Sequence, residues 1–361
     1  MSSPVVVDPR PLVRLASLCA AAVLASCGGS GASGGDVVAA PTAISPSPEV
    51  GLPRVDASRL PQGHPGYDTE LLRPASAPGG SAAGDGQFRL LCAFSHMAFD
   101  DPIIFPGQPG ASHLHAFFGN KGADAFSTAE SLANSGRSTC RGGTLNRSAY
   151  WVPAMIDTRD GRPIAPTDSS FYYKTGFSQI APTEIQPIPM GLRMLTGDAK
   201  NAAPQDYFAY SCEGGSWTPV AGGKGIPNCE AGVQLRMRLT FPQCWDGRNL
   251  DSPDHKSHMS WRTGNAGGRC PASHPVALPE ITFNIYYNVT EANSTRHWRL
   301  SSDGYSTDLP GGFSAHGDWY SGWNNDIVRA WTRNCLNLVL DCGGGNLGDG
   351  RHLDSTWPLG P

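Results

Sequence analysis

Eight cysteines between residues 92 and 342 constrain this chain more than any other feature. The chain opens with MSSPVVVDPRPLVRLASLCAAAVLASCGGS, which reads as an export signal. Arg10 and Arg14 form its basic start, and residues 15–24 form an apolar run too short to span a bilayer as a helix. Exported chains meet oxidising conditions, so an even set of cysteines reads as disulfides. Cys19 is lost with the signal and Cys27 sits at its end, which leaves Cys92, Cys140, Cys212, Cys229, Cys244, Cys270, Cys335 and Cys342. Neighbour pairing is expected: 92–140, 212–229, 244–270 and 335–342. No CxxC pair occurs, so a cysteine zinc site is not expected.

The signal ends in Leu24-Ala25-Ser26-Cys27, which looks like a bacterial lipobox. By that resemblance, residues 1–26 are removed and Cys27 is lipidated, anchoring the protein to a membrane without spanning it. Gly28 and Gly29 follow, with no Asp to mark inner-membrane retention, so the outer membrane of a Gram-negative cell is the expected location. Residues 27–86 are rich in Gly, Ser, Ala and Pro and lack apolar periodicity, which reads as a flexible tether. Residues 87–358 read as one domain. Net charge is −4, with five Lys against 22 Arg and no basic block, so nucleic acid is not an expected partner.

Within the domain the pattern is mostly β. Segments 88–94, 113–119, 149–156, 170–177, 191–197, 207–212, 232–241, 281–289 and 297–302 are rich in aromatic and β-branched residues and bounded by turn formers. The run Gln234-Leu235-Arg236-Met237-Arg238-Leu239 alternates polar and apolar, as a half-buried strand does. Helices are expected only at 124–135 and 324–333. The fold class expected is mainly β: a jelly-roll-like two-sheet sandwich with long disulfide-braced loops and one or two short helices.

Chemistry concentrates in a few places. Residues 244–261, CWDGRNLDSPDHKSHMSW, are too rich in ionisable groups for a core segment. Here Asp254, His255 and His258 could do acid–base work, Lys256 could hold substrate charge and Trp245 could contact substrate. The Asp251-Ser252-Pro253-Asp254 run is equally turn chemistry. His113-Leu114-His115, if extended, puts both imidazoles on one face, a familiar way to offer two metal ligands. In His316-Gly317-Asp318-Trp319 the glycine permits close backbone approach. Trp319 and Trp323 are sugar-stacking candidates or core. Tyr173 and Lys174 read as a possible pair at an acidic sugar. Asp100 and Asp101, near His96, point in different directions on a strand and need not act together.

Together DPIIFPGQPGASHLHAFFG (101–119), YWVPAM (150–155), residues 244–261, CPASHPVALPEI (270–281) and AHGDWYSGW (315–323) resemble the domain-of-unknown-function family nineteen-ninety-six of secreted bacterial and fungal proteins. The resemblance implies a polysaccharide setting, by association with carbohydrate-binding and cell-wall modules. It picks out His113, His115, His255, His258, His274 and His316 without assigning roles.

Three readings follow. The first is an enzyme, a glycoside hydrolase or polysaccharide lyase, with Asp254 or Asp318 as carboxylate base or nucleophile and His255, His258 or His316 moving the proton. The second is a transition-metal site built from His113, His115 and one of His258 or His316. The third is a non-catalytic glycan-binding or structural envelope lipoprotein. The expected partner is a cell-envelope or extracellular polysaccharide.

Overall fold

Among the described residues two main sheets, of eight and five strands, meet through their apolar faces, beside three small sheets of two or three strands. The computed structural model describes residues 51–355, except 177–178, 215–218 and 264–267. The signal and Cys27 lie outside the described residues. The larger sheet has eight strands, in the order Pro219–Gly223, Phe208–Glu213, Gln234–Thr240, Glu280–Asn288, Asp168–Lys174, Gln87–Leu90, Leu340–Cys342 and Gly79–Gly80. Its pairings are antiparallel except between Leu340–Cys342 and Gln87–Leu90. The smaller sheet runs Arg193–Gly197, His316–Tyr320, Ala149–Pro153, His115–Gly119 and Phe94–Ala98, antiparallel throughout.

In Asp168–Lys174, Ser169, Phe171 and Tyr173 point inward while Ser170, Tyr172 and Lys174 stay partly exposed. In Gln234–Thr240, Leu235, Met237 and Leu239 are buried and Arg236 and Arg238 face out. The inner faces meet through rings: Phe171 lies 4.3 Å from Tyr150 and 5.7 Å from Phe118, centroid to centroid, and Tyr173 lies 6.4 Å from Trp319. Burying each such side chain contributes roughly 1.5–3 kcal/mol. The mostly β, sandwich-like class expected from the sequence is what the structure has, with short α-helices at Ala129–Asn134 and Asn325–Trp331. The helix expected over 124–135 is shorter because Thr128 caps it: its side chain accepts from Ser131 N, and Ser131 answers with a bond to Thr128 N.

The smaller sheet is buried on its outer face as well. There Phe117, Trp151 and Tyr320 pack with Ile103, Ala123 and Leu132 of the covering loop and helix. All residues of His115–Gly119, Ala149–Pro153 and His316–Tyr320 are buried in consequence. Polar side chains on this face are therefore held away from water.

All four disulfides join neighbours in the expected pairing: Cys92–Cys140, Cys212–Cys229, Cys244–Cys270 and Cys335–Cys342. The tether assignment needs correction over residues 51–86. Leu72–Pro74 pairs with Arg351–Leu353, Tyr67 bridges Ser138, Glu70 bridges Gly143, and Gly79–Gly80 joins the edge of the large sheet. These partners are distant in sequence, so local composition could not reveal them.

Candidate metal centre

On the covered face of the smaller sheet, three imidazoles converge. His113 and His115 flank Leu114 in extended chain and share a side, their ring centroids 4.3 Å apart. His316 begins its strand opposite Gly197. Asp318 pairs with Trp151, and His115 pairs with Pro153. Continuing that register by two residues brings His316 level with His115. Gly317 lets this happen: a Cβ there would lie 2.5 Å from Leu239 Cδ1 of the facing sheet.

His316 Nε2 lies 3.0 Å from His113 Nε2 and 3.3 Å from His115 Nε2. Nitrogens held about 2.0–2.1 Å from a tetrahedral metal are separated by about 3.3 Å. The tautomers strengthen the case. His115 Nδ1 donates to the Asp100 carbonyl at 3.0 Å, and His316 Nδ1 donates to the Ser314 carbonyl at 2.9 Å. A carbonyl only accepts, so each neutral ring keeps its proton on Nδ1 and turns a lone pair outward at Nε2. Those two lone pairs face each other. A proton on His113 Nε2 could answer one contact, but it leaves His115 and His316 acceptor to acceptor. A cation between them resolves all three. Carbonyl bonds to the far ring nitrogen are also how metal-binding histidines are commonly oriented.

Burial keeps the rings neutral. It pushes His115 and His316 down to about 4, and His113 lower still, with the neighbouring imidazoles adding to the effect on His113 and His316. Neutral imidazole is the ligand form.

Two buried carboxylates complete the site. Single ligand atoms of Asp101, His115 and Asp318 all lie within 4.8 Å of one another. Asp101 Oδ1 accepts from Ile103 N and Ile104 N, both at 2.9 Å. Asp318 Oδ2 is buried with no hydrogen-bond partner. Burial raises the Asp318 carboxyl well above its usual range, and the Asp101 charge raises it further. Lys256 acts in the opposite direction on Asp318, and its Nζ donates at 2.8 Å to the carbonyl of Gly197, the strand partner of His316. His113 is only partly buried, so the cluster reaches solvent on its side.

The other sequence candidates divide clearly. His258 is not part of the cluster, which corrects its placement as an alternative ligand. It is buried with Nε2 on Arg193 O at 2.6 Å and Nδ1 on Ser252 Oγ at 2.9 Å, and so ties the 244–261 loop to the sheet. His255 bonds Asp251, which pairs with Arg193. Asp254 is exposed and closes a turn, accepting from Ser252 Oγ, Lys256 N and Ser257 N. Those turn bonds, not substrate, draw its carboxyl far down. Tyr173, Trp319 and Trp323 cannot contact a substrate in this fold, since all three are fully buried. Tyr173 OH meets Tyr150 OH at 2.7 Å and accepts from Trp323 Nε1 at 3.1 Å. Lys174 sits on the far sheet, 3.9 Å from Glu280. Trp245 donates to Asn249 O within its own loop. His274 bonds Ser257 O, and His96 bonds Ala123 O.

Asp101 was undervalued in the sequence. Asp100 and Asp101 do point apart, but that sends Asp100 to Gly110 N and Ala125 N and sends Asp101 into the cluster. The signal available was the proximity of the pair to the HLH motif.

A family model described as Domain of unknown function (DUF1996) matches residues 101–323, which include all three histidines and both carboxylates. No curated protein and no solved structure matches the chain.

Proposed function

The chain belongs to the DUF1996 family, and we propose that its domain is a lipid-anchored, exported, metal-dependent protein acting on cell-envelope polysaccharide. The observation that carries the metal is the meeting of the His115 and His316 Nε2 lone pairs, with His113 closing the triangle. Three histidines with an open position suit zinc, copper, iron or nickel. When bound, such an ion supplies Lewis acidity and an activated water. The chain's own part is to hold the ligands neutral and keep the outer sheet face dry. Asp318 is placed beside them to accept or give a proton, and Lys256 to favour a negative group near the opening.

Export supports the setting: the signal and Cys27 motif direct the chain outside the cytoplasm, and the four disulfides suit that compartment. A β-sandwich with a polar site that reaches solvent beside His113 suits a glycan. Elemental analysis after metal-replete purification tests the reading. About one equivalent of a transition metal is expected, bound more weakly and reduced in His115→Ala and His316→Ala and kept in full in Asp254→Ala. Less than about a tenth of an equivalent in the parent protein defeats it, because three open imidazoles bind tightly.

A further inference from the structure

Beside His316 the surface opens into a cleft of about 400 Å³, lined by Gly197, Asp198, Gln205, Asp206, Tyr207 and Trp261. That volume lies within the range of small-molecule sites. The cleft shares backbone with the metal centre. Gly197 is the strand partner of His316, and Gln205 Nε2 donates to Ala315 O at 2.8 Å and Phe313 O at 2.7 Å. Lys256 Nζ donates to Gly197 O at 2.8 Å.

The aromatic pair in the cleft is unlike the rings of the core. Tyr207 and Trp261 stack with centroids 3.5 Å apart and planes 7° apart, and yet Tyr207 is 50% exposed. Tyr207 also sits at φ 65°, a left-handed conformation that a bulky residue seldom adopts. Its carbonyl accepts from Thr240 N, and the next residue starts the strand Phe208–Glu213. The backbone is thus turned at the strand end in a way that presents the ring instead of burying it. Conformations of this kind collect at binding sites.

We propose that this cleft is a glycan subsite for a neutral, β-linked, gluco-configured pyranose, with the free face of Tyr207, backed by Trp261 on its other face, as its stacking platform. Such a sugar has an apolar C–H face for an aromatic ring and equatorial hydroxyls at its edge. The carboxylates of Asp198 and Asp206 accept from hydroxyls. They oppose a uronate: Lys224 Nζ, 3.8 Å from Asp206, and Lys256 Nζ, on Gly197 O, stand near them but are not among the residues that line the cleft. This inference rests on the polysaccharide reading above and gives it a substrate class.

The test uses the full chain, stripped of metal by a chelator, and titrated with hexasaccharides of β-1,4-glucose, β-1,4-N-acetylglucosamine and galacturonic acid while indole fluorescence is followed. Saturable binding of at least one neutral hexasaccharide is expected. Tyr207→Ala and Trp261→Ala weaken it tenfold or more, Tyr207→Phe retains it, and the galacturonate binds less tightly. The proposal is overturned if no neutral hexasaccharide binds, if both alanine variants unfold like the parent and bind unchanged, or if the galacturonate binds best. Metal content is measured on the same preparations before stripping. Metal without sugar binding removes the subsite and leaves the centre; sugar binding without metal does the reverse.

Discussion

At the scale of single residues, the site is a contest between burial and charge. Burial lowers the pKa of all three histidines, and it raises the Asp318 carboxyl well above its usual range. These groups act in opposite directions on acid stability. Unfolded His titrates near 6.5, so His115 and His316, at about 4 when folded, favour the unfolded chain as pH falls from about 6.5 to 4. Each contributes on the order of 3 kcal/mol to that loss. Asp318 has a raised folded pKa, so it takes its proton earlier when folded and adds stability as pH falls toward 3.8. Asp318→Asn removes that opposing contribution. The metal-free variant is therefore expected to lose melting temperature more steeply than the parent between pH 6.5 and 4. An equal or shallower slope in thermal unfolding would contradict the account. The sequence exposed His113, His115 and His316 because period two and a following glycine are local signals. It could not separate Tyr173, Trp319 and Trp323 from a stacking platform, since aromatic character is the same in a core and on a surface. The platform that the cleft presents is instead Tyr207 with Trp261, and exposure is a property only the fold decides.

At the scale of elements, the nine strand segments read from composition all contain strands, because alternation and bounding turns are written locally. The four disulfides were legible for the same reason, each joining cysteines adjacent in order. The 244–261 loop was read as the site itself. In the structure its Asp254 closes a turn within the loop, His255 (through Asp251) and His258 hold the loop to the sheet at Arg193, and Lys256 bears on the metal centre. Its charged residues serve loop geometry that a hydrophobic core could not supply. The strand His316–Tyr320 is the element on which the centre depends. Gly317→Ala would push its added methyl toward Leu239. Overpacking of that kind costs about 1–3 kcal/mol and moves His316 away from His115. Chemical denaturation should show the lost stability, and metal occupancy should fall although no ligand has changed. Full occupancy in a destabilised Gly317→Ala protein would show that the register is not what sets the site.

At the scale of the whole molecule, the sandwich supplies a rigid wall and the loops over its smaller sheet supply a dry chamber. Residues 51–86 belong to that body, tied by pairings to 138–143 and 351–353. Their partners lie up to the far end of the chain, so no window of sequence could show the connection. On the export reading, Cys27 places this body at a membrane surface. Cys27→Ser should move the protein from the membrane fraction to the soluble fraction and abolish incorporation of labelled fatty acid. Unchanged fractionation would remove the anchor and leave the domain's chemistry untouched. The claim on which the rest depends is that His113, His115 and His316 share one ion. X-ray absorption on the metal-replete protein tests it most directly. Three imidazole nitrogens at about 2.0–2.1 Å are predicted for zinc, with one lost in His316→Ala. A shell of oxygen alone, or a spectrum unchanged by His316→Ala, would contradict the account.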